Sequence, residues 1–225
     1  MLGKTVQFLS NGGTASGYLA VSSQGSGSGV IVLQEWWGLV DHIKDVADRL
    51  AREGFTALAP DMFHGKKTTS PDEAGKLFMA LNIAQVEKDL RGAINYLLTV
   101  PECQGERVGT VGFCMGGQLS LYAACANSKV GACVIYYGIH PNVHPEIASL
   151  QAPVLGFFGE KDASVPPQAA QKLEAELKGA GKQAEFHIYK DATHAFFNDS
   201  RPGVYHAASA KDSWDRTLKF FREKL

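Results

Sequence analysis

The sequence has no cysteine pair at Cys-x-x-Cys spacing. Its four cysteines, Cys103, Cys114, Cys125 and Cys133, are too sparse for a small disulfide-stapled scaffold. Disulfide frameworks and structural zinc sites are therefore both disfavoured, and each cysteine has to be judged alone. A long apolar run is also missing. Nothing approaches the roughly 20 apolar residues that a bilayer span requires, and the opening MLGKTVQFLS has no charged segment followed by an apolar stretch. The expectation is a cytoplasmic protein with no membrane partner. An excess of one charge sign is absent too, with 22 Lys and Arg against 23 Asp and Glu, which argues against nucleic acid and anionic lipid as partners. A small molecule is the expected partner and a monomer the expected state. No cofactor motif, metal-ligand cluster or internal repeat is visible.

What the chain does have is 45% hydrophobic residues over 225 positions, enough to bury the core of one α/β domain spanning 1–225. TVQFLS and TASGYLAV alternate in polarity around Asn11-Gly12-Gly13, a pairing that predicts a β-hairpin because Asn-Gly tolerates the positive φ of a tight turn. After the Gly/Ser loop SSQGSGSG, the run GVIVLQ reads as a buried parallel strand ending beside Glu35. Asp41 is placed to cap a helix whose face is Ile43, Val46, Ala47, Leu50 and Ala51, with Gly54 ending it before the strand FTALAP.

Val86, Leu90, Ala93, Ile94 and Leu97 mark a second amphipathic helix, followed by the strand RVGTVGF and a helix of small residues from about Met115. ACVIYYG, PVLGFFG and AEFHIY continue the strands, with helices around 166–178 and 207–224. The sum is an α/β protein with about eight strands in a mostly parallel sheet, six or seven helices on its two faces, and an N-terminal hairpin. In such a sheet, chemistry belongs just beyond the carboxyl ends of the strands.

Gly112-Phe113-Cys114-Met115-Gly116-Gly117 lies between a strand and a helix, where a nucleophile elbow presents its residue on a sharp turn. There Cys114 would gain from the helix N-terminus, which favours thiolate and offers free N–H groups to an oxyanion. The alternative is a buried structural cysteine. Asp162 and His194 each follow a predicted strand, and the order nucleophile, acid, histidine is that of an α/β-hydrolase triad. Taken singly, Asp162 could be a turn residue and His194 a loop residue, and Glu160 is the nearest rival acid. Glu35-Trp36-Trp37-Gly38 closes the first central strand, where the second oxyanion N–H is expected, so the amides of Trp36 and Met115 are the candidate oxyanion hole. Glu35 is either a solvated strand end or a carboxylate that controls the thiol's protonation.

The Glu35-Trp36-Trp37-Gly38 segment, the Gly-Phe-Cys-Met-Gly-Gly elbow, Tyr136-Tyr137-Gly138, Asp162 and His194-Ala195-Phe196 together resemble the dienelactone hydrolase (carboxymethylenebutenolidase) family, nearly end to end. The resemblance implies an α/β-hydrolase fold without metal or cofactor. It implies attack of Cys114 on a lactone carbonyl supported by His194 and Asp162, a thioester intermediate, and a Glu35 that keeps the resting thiol neutral. It also implies a role in the degradation of aromatic compounds. Family members place two arginines around the substrate carboxylate. Here Ser70-Pro71-Asp72-Glu73 and Asn198 stand at those places, and Arg201 is the nearby candidate replacement. Trp37, Phe78 and Arg201 are therefore the candidate substrate contacts, while Lys66, Lys67 and Arg201 can equally be solvated surface charges. Cys103, Cys125, Cys133, His64 and His140 read as structural or surface residues. Two other functions fit the same chain: a general carboxylesterase or thioesterase, and a redox-responsive binding protein that uses Cys114.

Overall fold

The alternation of strand and helix patterns becomes a sheet of eight strands in a computed structural model that describes residues 2–10 and 12–225. In chain order the elements are β1 (Lys4–Ser10), β2 (Gly13–Ala20), β3 (Gly27–Leu33), α1 (Asp41–Arg52), β4 (Thr56–Pro60), α2 (Pro71–Met79), α3 (Ile83–Leu97) and β5 (Cys103–Phe113). They continue with α4 (Met115–Ala126), β6 (Val130–Tyr136), a 3₁₀ turn at Ile147–Ser149, β7 (Val154–Gly159), α5 (Pro167–Gly179), β8 (Ala184–Tyr189) and α6 (Ala207–Lys224). The sheet order is β1-β2-β4-β3-β5-β6-β7-β8. The pairs β1/β2 and β2/β4 are antiparallel, and every other neighbouring pair is parallel. This is the α/β-hydrolase fold expected from the sequence, including the N-terminal hairpin.

The hairpin pairs Ser10 with Gly13 across its turn, and Gly12 takes φ +86° there. Asn11, which the sequence reading also placed in this turn, lies outside the described residues. Every residue of β4, β6 and β7 is buried, which requires cover on both faces of the sheet. α1 turns Ile43, Val46, Ala47, Leu50 and Ala51 inward as its spacing predicts, and Gly54 at φ +93° lets the chain leave it. The expected capping role of Asp41 is not what forms. Val40 occupies the N-cap with no side-chain bond, and Asp41 is the first helical residue, where its charge favours the helix dipole and its oxygen meets Lys44 at 3.3 Å.

One helix, α2, was not anticipated. Among its residues only Ala74 is buried, so it has no periodic apolar face to read. Its legible signal was local: Ser70, Pro71 and Glu73 form an N-terminal signature, and Ser70 Oγ accepts from the Glu73 amide at 3.5 Å. His64, one of the residues read as structural or surface, sits 2.9 Å from the fully buried Asp89 of α3, which also accepts from Gln85 at 3.0 Å and from Ser10. That carboxylate ties β1, α3 and the loop after β4 together.

Five parallel strands, β3, β5, β6, β7 and β8, end on one edge of the sheet, and the segments carrying Glu35, Cys114, Tyr137, Asp162 and His194 follow them in that order. Beneath this edge lies an aromatic cluster. Phe113, Tyr136, Phe157 and Phe197 are all buried, with ring centroids 4.7 to 5.1 Å apart for the closest pairs.

The edge is aligned by close backbone contact. A Cβ on Gly112 would stand 1.8 Å from the Gly116 carbonyl oxygen, and one on Gly116 would stand 2.2 Å from the Leu33 carbonyl oxygen. β3, β5 and α4 therefore meet with no room for a methyl group, and no flexible side chain can give way. Gly112→Ala and Gly116→Ala should each destabilise the fold by about 3 kcal/mol or more, as overpacking against main chain allows. Urea unfolding of the two variants checks this. Ala at Gly179, where nothing lies within 4 Å of the added Cβ, is the control expected to unfold close to wild type.

Candidate active site

Cys114 joins β5 to α4 with φ 54° and ψ −119°, one of five non-glycine residues at positive φ among the described residues. Such a conformation costs on the order of 1 to 3 kcal/mol and persists only where its surroundings enforce it. The surroundings here are explicit. The Cys114 amide donates to the Tyr136 carbonyl at 3.0 Å, and its own carbonyl accepts from Gly117 at 2.9 Å and Ile139 at 3.2 Å. The thiol is thus carried at the N-terminus of α4, where the first amides have no intrahelical partner.

Asp162 follows β7 and is buried. One oxygen, Oδ1, accepts from the amides of Ser164 and Val165, both at 2.8 Å. Oδ2 is left for His194 Nδ1, also at 2.8 Å. Glu160, the rival acid, is exposed and accepts from the Asp191 amide instead. Burial by itself would lower the pKa of His194. The hydrogen bonds to Asp162 and then Cys114, with the charges of both, outweigh it and raise the value to about 10. The environment therefore stabilises the imidazolium, the form that can return a proton.

Glu35 lies just beyond β3 and is 1% exposed. Its Oε2 accepts from Asn198 Nδ2 at 2.8 Å, while Oε1 is buried with no hydrogen-bond partner among the described residues. Burial raises its pKa, and the Asn198 bond and the charges of His194 and Arg201 pull it back only in part. The solvated strand end considered for Glu35 is therefore not what the fold provides.

Tyr137, at φ 39°, completes the enclosure. Its ring centroid is 5.0 Å from that of His194, and its buried hydroxyl has no hydrogen-bond partner among the described residues. Burial, then the charges of Glu35 and Cys114, push its ionisation well above the ordinary tyrosine range. Neither Tyr137 nor Asn198 was assigned a role from the sequence. A Tyr-Tyr-Gly ending a strand was visible there, but the strained φ was not.

Of the candidate substrate contacts, the structure brings Trp37 and Arg201 together, with the Arg201 guanidinium carbon 5.2 Å from the Trp37 ring centroid. Both line a pocket of about 430 Å³ with His42, Thr68, Thr69 and Asn198. Phe78 is not on those walls. It packs edge-on to Trp36 at 6.4 Å and against His140 at 4.3 Å, and its carbonyl meets His140 Nε2 at 2.9 Å. Lys66 and Lys67 are exposed on the neighbouring loop.

The other thiols are held protonated by burial. Cys103 and Cys125 are pushed up to about 11, and Cys133 to about 12. All four cysteines are free. Among the described residues no helix is long and apolar enough to cross a membrane.

The chain matches the dienelactone hydrolase family over residues 15–225. It is 34% identical to Protein usf of Aquifex pyrophilus, with all of both chains covered. It is 35% identical to a Salmonella typhimurium protein named "Putative carboxymethylenebutenolidase", over 90% of this chain and 79% of that one. Among solved structures, the "Putative Dienelactone Hydrolase" of Klebsiella pneumoniae superposes with a TM-score of 0.87 at 32% identity, covering 98% of each chain.

The raised pKa of Glu35 has a consequence for stability. Above about pH 4.5 the unfolded chain gives up this proton while the native state keeps it, so stability falls as pH rises through the native pKa. Glu35→Gln removes that slope, at most about 1.4 kcal/mol per pH unit. Urea midpoints measured in half-unit steps from pH 4.5 to 7.5 should show the variant gaining on wild type from pH 4.5 upward, with the gain ending once Glu35 ionises in the native state. A constant difference across the series would mean that Glu35 titrates as it does in water.

Proposed function

This chain belongs to the dienelactone hydrolase family, and from that premise we propose that it opens a lactone or cleaves a carboxylic ester through Cys114, His194 and Asp162. It is a hydrolase of the dienelactone hydrolase type. The substrate and the residue roles are the proposal, as is the reading of 1–225 as one catalytic domain. The observation that carries it is the strained Cys114 at the head of α4 on the same sheet edge as the His194–Asp162 pair.

In the proposed reaction Cys114 gives its thiol proton to His194 as its sulfur bonds to the substrate carbonyl carbon, and the tetrahedral oxyanion is held by the amides of Trp36 and Met115. Collapse breaks the carbon–oxygen bond of the ring and leaves a thioester. The released oxygen, an enolate for a dienelactone, takes a proton, with the His194 imidazolium as its source. Water then attacks the thioester, giving a proton to His194, and the carbon–sulfur bond breaks as His194 passes that proton to the departing sulfur and returns the thiol. Asp162 holds the imidazole in the tautomer that this exchange needs. Glu35 sets the resting state, because a buried carboxylate near Cys114 opposes a second negative charge there.

A dienelactone-like substrate is the leading reading. One observation favours a general esterase or thioesterase instead: the amide of Asn198 stands where family members supply a cation, and Arg201 rests over Trp37. The Cys103, Cys125 and Cys133 thiols, all pushed up by burial, give a redox-responsive protein no ready resolving partner.

Hydrolysis of a cis-dienelactone beside a simple aryl ester, with Cys114→Ala as the blank for each, separates these readings. The expected result is turnover of the dienelactone that falls by about a thousandfold or more in the variant. Turnover of the aryl ester alone sinks the lactone assignment, and turnover that survives in Cys114→Ala sinks the nucleophile. Arg201→Gln should raise KM for a carboxylate-bearing substrate by about tenfold while leaving kcat within about twofold, if that cation replaces the missing arginines.

A further inference from the structure

Asn198 is the one residue that hydrogen-bonds Glu35 among the described residues, and the residue after it is anchored to a different part of the fold. Asp199 Oδ2 accepts from Arg49 Nη2 at 2.5 Å, and the same guanidinium bridges Asp45 at 2.5 Å one turn earlier on α1. Asp199 Oδ1 lies 3.4 Å from Nδ1 of the buried His42, too long and misaligned for a good hydrogen bond. The backbone between them is a tight turn, with the Asn198 amide on the Ala195 carbonyl at 2.9 Å and the Arg201 amide on the Asn198 carbonyl at 3.1 Å. Asn198 therefore points inward to Glu35 while its neighbour reaches out to α1.

We propose that the Arg49–Asp199 ion pair is a strut that keeps the Asn198 amide on Glu35, so that Arg49 and Asp199 are positioning residues for control of the Cys114 thiol. This rests on the reading of Glu35 given above. Consecutive Cα atoms are about 3.8 Å apart, so holding the Asp199 carboxylate fixes the backbone from which Asn198 projects. Asn198 Oδ1 accepts from the Ser200 amide at 3.2 Å and hydroxyl at 2.6 Å, so the side chain is fixed to its own turn, and with the strut cut that turn shifts as a unit and Glu35 loses the bond that favours its anion. The charged groups around Glu35 are then His194 and Arg201, with the Tyr137 hydroxyl close by, while burial drives Glu35 to take up a proton. On that reading of Glu35, its negative charge no longer opposes ionisation at Cys114, and the thiol ionises at lower pH. The sign is diagnostic. Removing the Arg49 cation acts on a distant thiol in the opposite sense if it works only through its own charge, because loss of positive charge makes thiolate harder to form.

The test is the pH dependence of Cys114 alkylation by iodoacetamide, followed by mass spectrometry of the peptide that carries it. Glu35→Gln and Asn198→Ala should each lower the midpoint by about one pH unit, and Arg49→Gln should lower it by about half a unit. Arg49→Lys should restore most of the wild-type profile. Adding Arg49→Gln to Asn198→Ala should give no further shift, since both act on one contact. Asp199→Asn cuts the strut from its other end with little change of shape, and it replaces Arg49→Gln should that chain fold poorly. An unmoved or raised midpoint in Arg49→Gln, with Glu35→Gln shifted, overturns the strut and keeps the role of Glu35. An unmoved midpoint in Glu35→Gln overturns both. An equal extra shift in the double variant shows that Arg49 does not act through Asn198 and also overturns the proposal.

Discussion

The meeting of three backbones at the end of β5 constrains everything else at this site. Gly112 and Gly116 let β3, β5 and α4 approach within the space of a single missing methyl group. That contact forces the chain to reverse between strand and helix over one residue, and the residue is Cys114 with a left-handed φ. The strain is small beside the packing that enforces it. Its product is a thiol aimed off the edge of the sheet, beside helix amides that have no partner of their own.

Around this point the protein concentrates polar groups that are not fully satisfied. Gln34 Nε2, Glu35 Oε1, Trp37 Nε1, both ring nitrogens of His42 and the Tyr137 hydroxyl are buried without a hydrogen-bond partner among the described residues. Away from this edge, Asp89 Oδ2 and His187 Nε2 are also buried without a hydrogen bond among the described residues, but each faces an ionisable neighbour, His64 at 2.9 Å and Glu185 at 2.8 Å. Buried polar atoms are otherwise paired almost everywhere in folded proteins, because leaving one unpaired costs about 1 to 3 kcal/mol. Their clustering at the carboxyl edge of the sheet shows where stability is given up, and in the proposed reaction this is where charge is created and moved. The contrast between Asp162 and Glu35 follows from the same physics. Asp162 has its donors supplied and can anchor an imidazolium, whereas Glu35 has one bond against full burial, and its pKa is raised.

In the proposed reaction, the pocket beside the triad is built differently from the triad itself. The elbow and the Asp162 turn are fixed by main-chain hydrogen bonds. The 430 Å³ pocket is instead lined mostly by side chains of loops, joined by Asp41 and His42 at the start of α1, with Arg201 laid over Trp37 and Asn198 as part of its wall. Loops vary more readily than the edges of buried strands, so chemistry and specificity are separable in this fold.

The alternation of buried strands and amphipathic helices was legible in the sequence because burial on both faces leaves continuous apolar runs, and burial on one face leaves a period near 3.6. The positions of Cys114, Asp162 and His194 just beyond strands were legible for the same reason. So was the elbow, since glycines flanking a nucleophile-type residue between strand and helix have few other uses. α2 escaped notice because only Ala74 enters the core, and Asp41 misled because a side-chain cap depends on a geometry that sequence cannot show. What the tertiary structure alone decided was which groups face one another across long stretches of chain: Asn198 onto Glu35, Arg49 onto Asp199, and Tyr137 against His194. Periodicity records whether a residue is turned toward the core. It carries no record of its partner there, because partners are set by how separate elements pack.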